Sequence, residues 1–144
     1  MYQLIWQEQA ALRLGSGQLA LTDGASFVTK IVLPKGEYYV WSGRRAGDDY
    51  DAIVDVLPVG TYATSQSQVG EEIDRLDIET AQILFANAAA VPDYDIWYYG
   101  EKPKTPAQGY YIASLPGDMS CAVHAILNEV GARIGVRVII DFSG

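Results

Sequence analysis

The stretch whose reading decides the fold is Leu115-Pro-Gly-Asp-Met-Ser-Cys-Ala-Val-His-Ala-Ile-Leu-Asn-Glu-Val-Gly-Ala-Arg-Ile-Gly-Val-Arg-Val-Ile-Ile-Asp-Phe142. Pro116 and Gly117 interrupt what precedes. Asp118 is placed to cap a helix, its carboxylate accepting from the free amides of a first turn. Met119, Ala122, Val123, Ile126, Leu127, Val130 and Ile134 then recur at three- and four-residue steps, which at about 100° per residue shares one helical arc. Arg133 suits the negative end of the dipole and Gly135 a left-handed stop. The spacing predicts a helix over 119–134. Beyond it Val136, Val138, Ile140 and Phe142 alternate with Arg137, Ile139 and Asp141, the period of a strand with one buried and one mixed face. Its apolar content places it centrally in a sheet.

Upstream, Ile78, Ala81, Leu84, Phe85 and Ala88 share a second arc, with Glu79, Thr80 and Asn87 away from it. A helix over 78–90 is expected, capped by Asp77 and ended by Pro92. Asp93–Gly100 and Tyr110–Leu115 read as strands flanking a wet, proline-containing loop. The mixed half, 70–144, is thus helix, strand, strand, helix, strand.

Residues 1–64 are β-rich. Tyr2, Leu4 and Trp6 alternate with Gln3, Ile5 and Gln7. Gly15-Ser-Gly17, Asp23-Gly24 and Pro34-Lys-Gly36 separate further β-prone runs, and turn signals every eight to twelve residues suggest an antiparallel meander of about five or six strands. The expectation is a single α+β domain over 1–144, its antiparallel sheet covered on one face by two helices. A chain of this length buries about 68–70% of its unfolded surface, enough for a sizeable core.

Composition narrows function. Apolar residues are 49% and charged residues 19%, which favours a compact fold over disorder. The net charge of −8 disfavours a phosphate-binding groove, so no nucleic-acid partner is expected. The single cysteine excludes an internal disulfide. Residues 1–8 lack a basic segment followed by a long apolar run, and no window approaches the ~18 apolar residues of a membrane span. A soluble cytoplasmic protein with no membrane partner is expected. There is no Walker loop, dinucleotide fingerprint or nucleophile elbow, so no cofactor is implied.

Three sets of residues offer chemistry. On the predicted helix 119–134, Cys121, His124 and Asn128 lie opposite the apolar arc. A thiol in a first helical turn has a lowered pKa, and a histidine one turn on is within reach as its base. The same pattern is the outer face of an amphipathic helix, with Cys121 a small filler. Cys121 and His124 alone cannot complete a structural zinc site, and no metal is expected.

The loop between two strands, Arg44-Arg-Ala-Gly-Asp-Asp-Tyr-Asp51, holds Arg44 and Arg45 for an anion and Asp48, Asp49 and Asp51 for a cation. A charged hairpin tip reads identically. Tyrosine is over-represented, ten against three phenylalanines. Tyr38-Tyr39 with Trp41, Trp97 with Tyr98-Tyr99, and Tyr110-Tyr111 lie on expected strands. Each pair sends one ring inward and one outward, which would give an aromatic binding face.

The leading expectation is a small acidic, non-enzymatic module, of inhibitor or immunity type, that meets a basic protein through an acidic and tyrosine-rich surface. A cysteine-dependent enzyme built on Cys121 and His124 is the alternative. A self-assembling structural component of a phage or secretion apparatus, working as a homo-oligomer, is a third.

Overall fold

The computed structural model describes residues 4–25, 27–63, 68–90 and 109–140. The described chain forms ten strands: β1 (Leu4–Leu14), β2 (Gln18–Thr22), β3 (Val28–Val32), β4 (Gly36–Arg45), β5 (Ile53–Pro58), β6 (Val69–Ile78), β7 (Gln82–Asn87), β8 (Tyr110–Ser114), β9 (Met119–Leu127) and β10 (Arg133–Ile139). A single 3₁₀ turn, Ala88–Ala90, is the one helical element among them. Six strands form one sheet in the order β1-β4-β5-β10-β9-β6, and four form another in the order β3-β2-β7-β8. Every pairing is antiparallel.

The α+β expectation is therefore overturned, and with it both helices. Residues 119–134 are β9, a turn and the start of β10. Asn128 Oδ1 accepts from the amides of Val130 and Ala132, and Gly131 supplies the left-handed residue (φ 82°) that reverses the chain. Residues 78–90 hold the end of β6, a turn at Ala81 (φ 54°) and β7. The physical reason is the same in both places. β7 and β9 are interior strands: β7 is buried on both faces, and β9 adds Ala122 and Ile126 on its outer face to the core-facing Cys121, Val123 and Ala125, so apolar residues fill most positions of both. Ile83 to Asn87 are all buried. In β9, Cys121 and Val123 face the other sheet while Ile126 packs on the opposite side with Leu57 and Ala63. A run apolar at every step also contains the helical i, i+3, i+4 pattern, and periodicity alone cannot separate them.

The strands expected in the first half are present as β1 to β5, but not as one meander: β1, β4 and β5 lie in the six-stranded sheet and β2 and β3 in the other, so Gly15-Ser-Gly17 carries the chain between sheets and closes no hairpin. β10 lies between β5 and β9, as its apolar content implies. The expected strand 93–100 and most of the loop after it lie outside the described residues, as do Asp141 and Phe142.

The main core lies between the sheets. Leu12, Tyr38, Val40, Val54, Val56, Leu76, Cys121, Val123, Val136 and Val138 from one meet Leu19, Leu21, Ile31, Ile83, Phe85 and Ala113 from the other. The two lateral sides of this sandwich differ. On one side the approach to β8 is pressed against β1. A Cβ on Gly109 would lie 1.9 Å from the Ala11 carbonyl oxygen, so only glycine permits the contact. On the other side β6 and β3 are the sheet ends, and a cleft separates them. No helix among the described residues is long and apolar enough to cross a membrane.

Candidate functional site

The Cys121–His124 pairing does not survive the change from helix to strand. Side chains three apart on a strand face opposite ways. Cys121 points into the core and is fully buried. Burial pushes its thiol up to about 11, against a smaller opposing pull from Arg75. A nucleophilic thiol needs the reverse. His124 lies on the outer face, its Nδ1 3.0 Å from the Gly70 carbonyl oxygen. Asn128 holds the β9–β10 turn and faces neither.

The hairpin loop resolves into different roles. Asp51 is fully buried, and its carboxylate accepts from Ser42 Oγ, from Arg44 Nε at 2.9 Å, from the Tyr111 hydroxyl at 3.0 Å and from the Ser114 amide at 3.1 Å. Donors from β4 and β8 thus converge on one carboxylate, which ties the two sheets together at this end. With its oxygens committed to four donors, Asp51 is a structural pin and not a cation ligand. Burial, then the Asp51 charge, push the Tyr111 hydroxyl up to about 12, while Arg44 opposes them. The hydrogen bond to Asp51 raises the Arg44 guanidinium above its ordinary value. A shallow recess of about 190 Å³ lies beside Arg44, Arg45 and Asp48. Asp49 is exposed on the tip.

The tyrosines divide. Tyr38 is buried, its hydroxyl donating to the Pro34 carbonyl. Tyr111 is occupied by Asp51 and Arg44. Tyr110 packs against the small cluster of Ala20, Leu84 and Ala86 on the outer side of the four-stranded sheet. Tyr39 and Trp41 lie half-buried on the outer face of the six-stranded sheet, where Tyr62, 71% exposed, meets the Trp41 ring edge-on at 5.7 Å. Trp97, Tyr98 and Tyr99 lie outside the described residues.

That outer face carries a row the sequence reading missed. Glu8, Trp41, Asp55, Arg137, His124 and Glu72 are directly opposite one another across the six strands. At its centre Arg137 grips both oxygens of Asp55 at 2.7 Å, and the Trp6 ring lies 5.3 Å from the guanidinium carbon. Burial pushes the Asp55 carboxyl up, against the pull of Arg137. The pair is buried under the indole, so it is a structural feature of the sheet centre.

The remaining feature is the β6 end of the sheet. Glu71, Glu72 and Asp77 are exposed and Asp74 half-buried, with Arg75 bound to Glu72 at 2.6 Å. Register shifts interrupt the ladder to β9 around Glu72 and Asp74, while Arg75 to Ile78 pair regularly with Ala122 to Met119. The other edge of β6 has no strand neighbour among the described residues. The Arg75 backbone N–H donates to the Asp74 carboxylate at 2.8 Å. Beside it, Phe27, Thr29, Arg75, Leu76, Asp77 and Glu79 line the cleft towards β3, about 310 Å³ in volume. Buried Asp23 anchors the cleft residue Glu79 by accepting from its amide at 3.1 Å. The alternation of Leu76 and Ile78 with Arg75 and Asp77 was the available signal for this strand.

Among the described residues no group of three or more His, Cys, Asp or Glu side chains is placed to hold a metal ion. No family model, no curated protein and no solved structure matches the chain.

Proposed function

We propose that this chain is a non-enzymatic binding protein that engages a basic protein partner through the acidic end of its six-stranded sheet. The observation that carries the reading is the charge on β6 and its exit. From Val69 to Glu79 there are five acidic residues, Glu71, Glu72, Asp74, Asp77 and Glu79, against the single base Arg75, hence −4 of the chain's −8. The other sheet ends are unlike it. β1 carries one acid and one base, β3 carries Lys30, and β8 carries no charge. A concentrated field of one sign on an exposed edge steers an oppositely charged partner and repels a like-charged one. The outer face of the same sheet adds Trp41 and Tyr62, which offer contact area with polar atoms.

The test is capture from native lysate at low and high salt, with the wild-type chain and with a variant carrying Glu71→Gln, Glu72→Gln, Asp74→Asn and Asp77→Asn. A basic protein retained by wild type, released by salt and not retained by the variant is the expected result. Equal retention by the two chains would move the binding surface elsewhere, and recovery of no basic protein would remove the reading.

A further inference from the structure

Resting on that reading, we infer that the partner contributes an extended segment of alternating apolar and cationic residues, which adds as a strand to β6 in the cleft between β6 and β3. Among the described residues, the approach to β8 touches β1 where Gly109 meets the Ala11 carbonyl, whereas a cleft separates β6 from β3 and the outer edge of β6 has no strand neighbour. An open sheet end offers backbone donors and acceptors to an incoming strand.

The two faces of such a strand would meet different surroundings. Leu76, opposite Cys121 in the ladder, is buried and lines the cleft together with half-buried Phe27 across it. Alternate side chains of the guest on this side meet apolar surface. Arg75 and Asp77 form the rim of the cleft, with exposed side chains on the face of the strand opposite Leu76, and Glu72 belongs to the outer row. Guest side chains on that side meet the acidic field. A guest with period two, apolar then cationic, satisfies both faces at once. A second copy of this chain presenting β6 would bring like charges together, which opposes pairing.

The Arg75 amide, now held by the Asp74 side chain, is the donor a guest carbonyl would take over. The Asp74 carboxylate would then be released towards the cationic side chains. Asp23, by anchoring the cleft residue Glu79, sets the register of the guest.

The experiment uses the full chain and three synthetic probes: a heptapeptide alternating lysine and valine, the same composition with its lysines in one block, and the alternating peptide with every second amide N-methylated. Affinity is measured by titration, and hydrogen exchange is followed at the Arg75 and Asp77 amides. The alternating peptide is expected to bind at least about 10-fold more tightly than the other two and to slow exchange at both amides. Equal binding by all three overturns strand addition and leaves the acidic-edge reading standing, because charge alone would then suffice. Binding of the alternating peptide without protection at Arg75 and Asp77 also overturns it. Failure of every probe to bind, alongside capture of a basic protein by the wild-type chain, rejects the strand mode alone. Failure of both removes the two proposals together.

Discussion

Single residues here are decided by which way a strand turns them. Cys121 was attractive beside His124 because a helix would have put the two one turn apart. On β9 the thiol faces the core, so it is expected to react with a thiol reagent only through opening of the fold. Labelling should be at least about 100-fold slower in the native than in the unfolded chain, measured by mass spectrometry over time. Fast native labelling would contradict the buried placement. The same burial makes a pH prediction. Cys121 is raised from 9.0 to about 11 and Tyr111 from 10.0 to about 12. Both groups hold their protons more tightly when folded, so their contribution is fully present below the unfolded values and is lost as pH rises through the folded ones. Urea stability is expected to fall between pH 9.0 and about 12, by on the order of 2 kcal/mol for each group. Cys121→Ala should flatten the lower part of that fall and Tyr111→Phe the upper part. Asp55 and Arg137 give a third test. Arg137→Met leaves a buried carboxylate without its partner and should cost about 3–5 kcal/mol, whereas adding Asp55→Leu should recover most of the loss. Equal stability of the single and double variants would contradict a buried, mutually dependent pair.

At the scale of elements, the strands of the first half were legible, as were β8 and β10 in the second, whereas β6, β7 and β9 were not. Ser26 to Leu33 and Glu37 to Ser42 are bounded by Gly, Pro and Asp turns and rich in β-branched or aromatic residues, so period and punctuation agree. β7 sits inside its sheet and is apolar on both faces, and β9 places Ala122 and Ile126 on its outer face beside Ser120 and His124, which blurs the period-two signature. Asn128-Glu-Val-Gly131 is the informative punctuation, a turn with an asparagine acceptor and a left-handed glycine, but the helical spacing of the apolar residues runs straight across it. Gly135 was assigned to a helix end. It lies in β10, where a Cβ would stand 2.2 Å from the Val56 carbonyl oxygen. Gly135→Ala is therefore expected to force β10 away from β5 and to destabilise the domain by about 1–3 kcal/mol, read by urea denaturation. A neutral substitution would mean that the two strands are less closely packed than described. Of the candidate sites, the loop residues Arg44 and Asp51 were found by their charge, but their role was not, because Tyr111 and Ser114 reach Asp51 from the other sheet and long-range pairing leaves no local mark.

For the whole molecule, the acidic balance was visible in the composition, but its placement was not. A net charge of −8 spread evenly would argue only for solubility. Concentration of half of it on β6 and Glu79 just after it, along a sheet edge with no strand neighbour among the described residues, is what makes a cationic polypeptide the fitting partner. The interaction is expected to weaken steeply between low salt and about 0.5 M salt, since exposed charges are screened beyond a few ångströms there. The most direct measurement is an amide chemical-shift map of the full chain titrated with a lysine homopolymer at low and high salt. Shifts concentrated on Glu71 to Asp77 and on the facing β3 residues, and lost at high salt, are expected. Shifts centred instead on the Asp48–Asp49 loop, or spread evenly over the surface, would contradict the acidic sheet end as the docking surface.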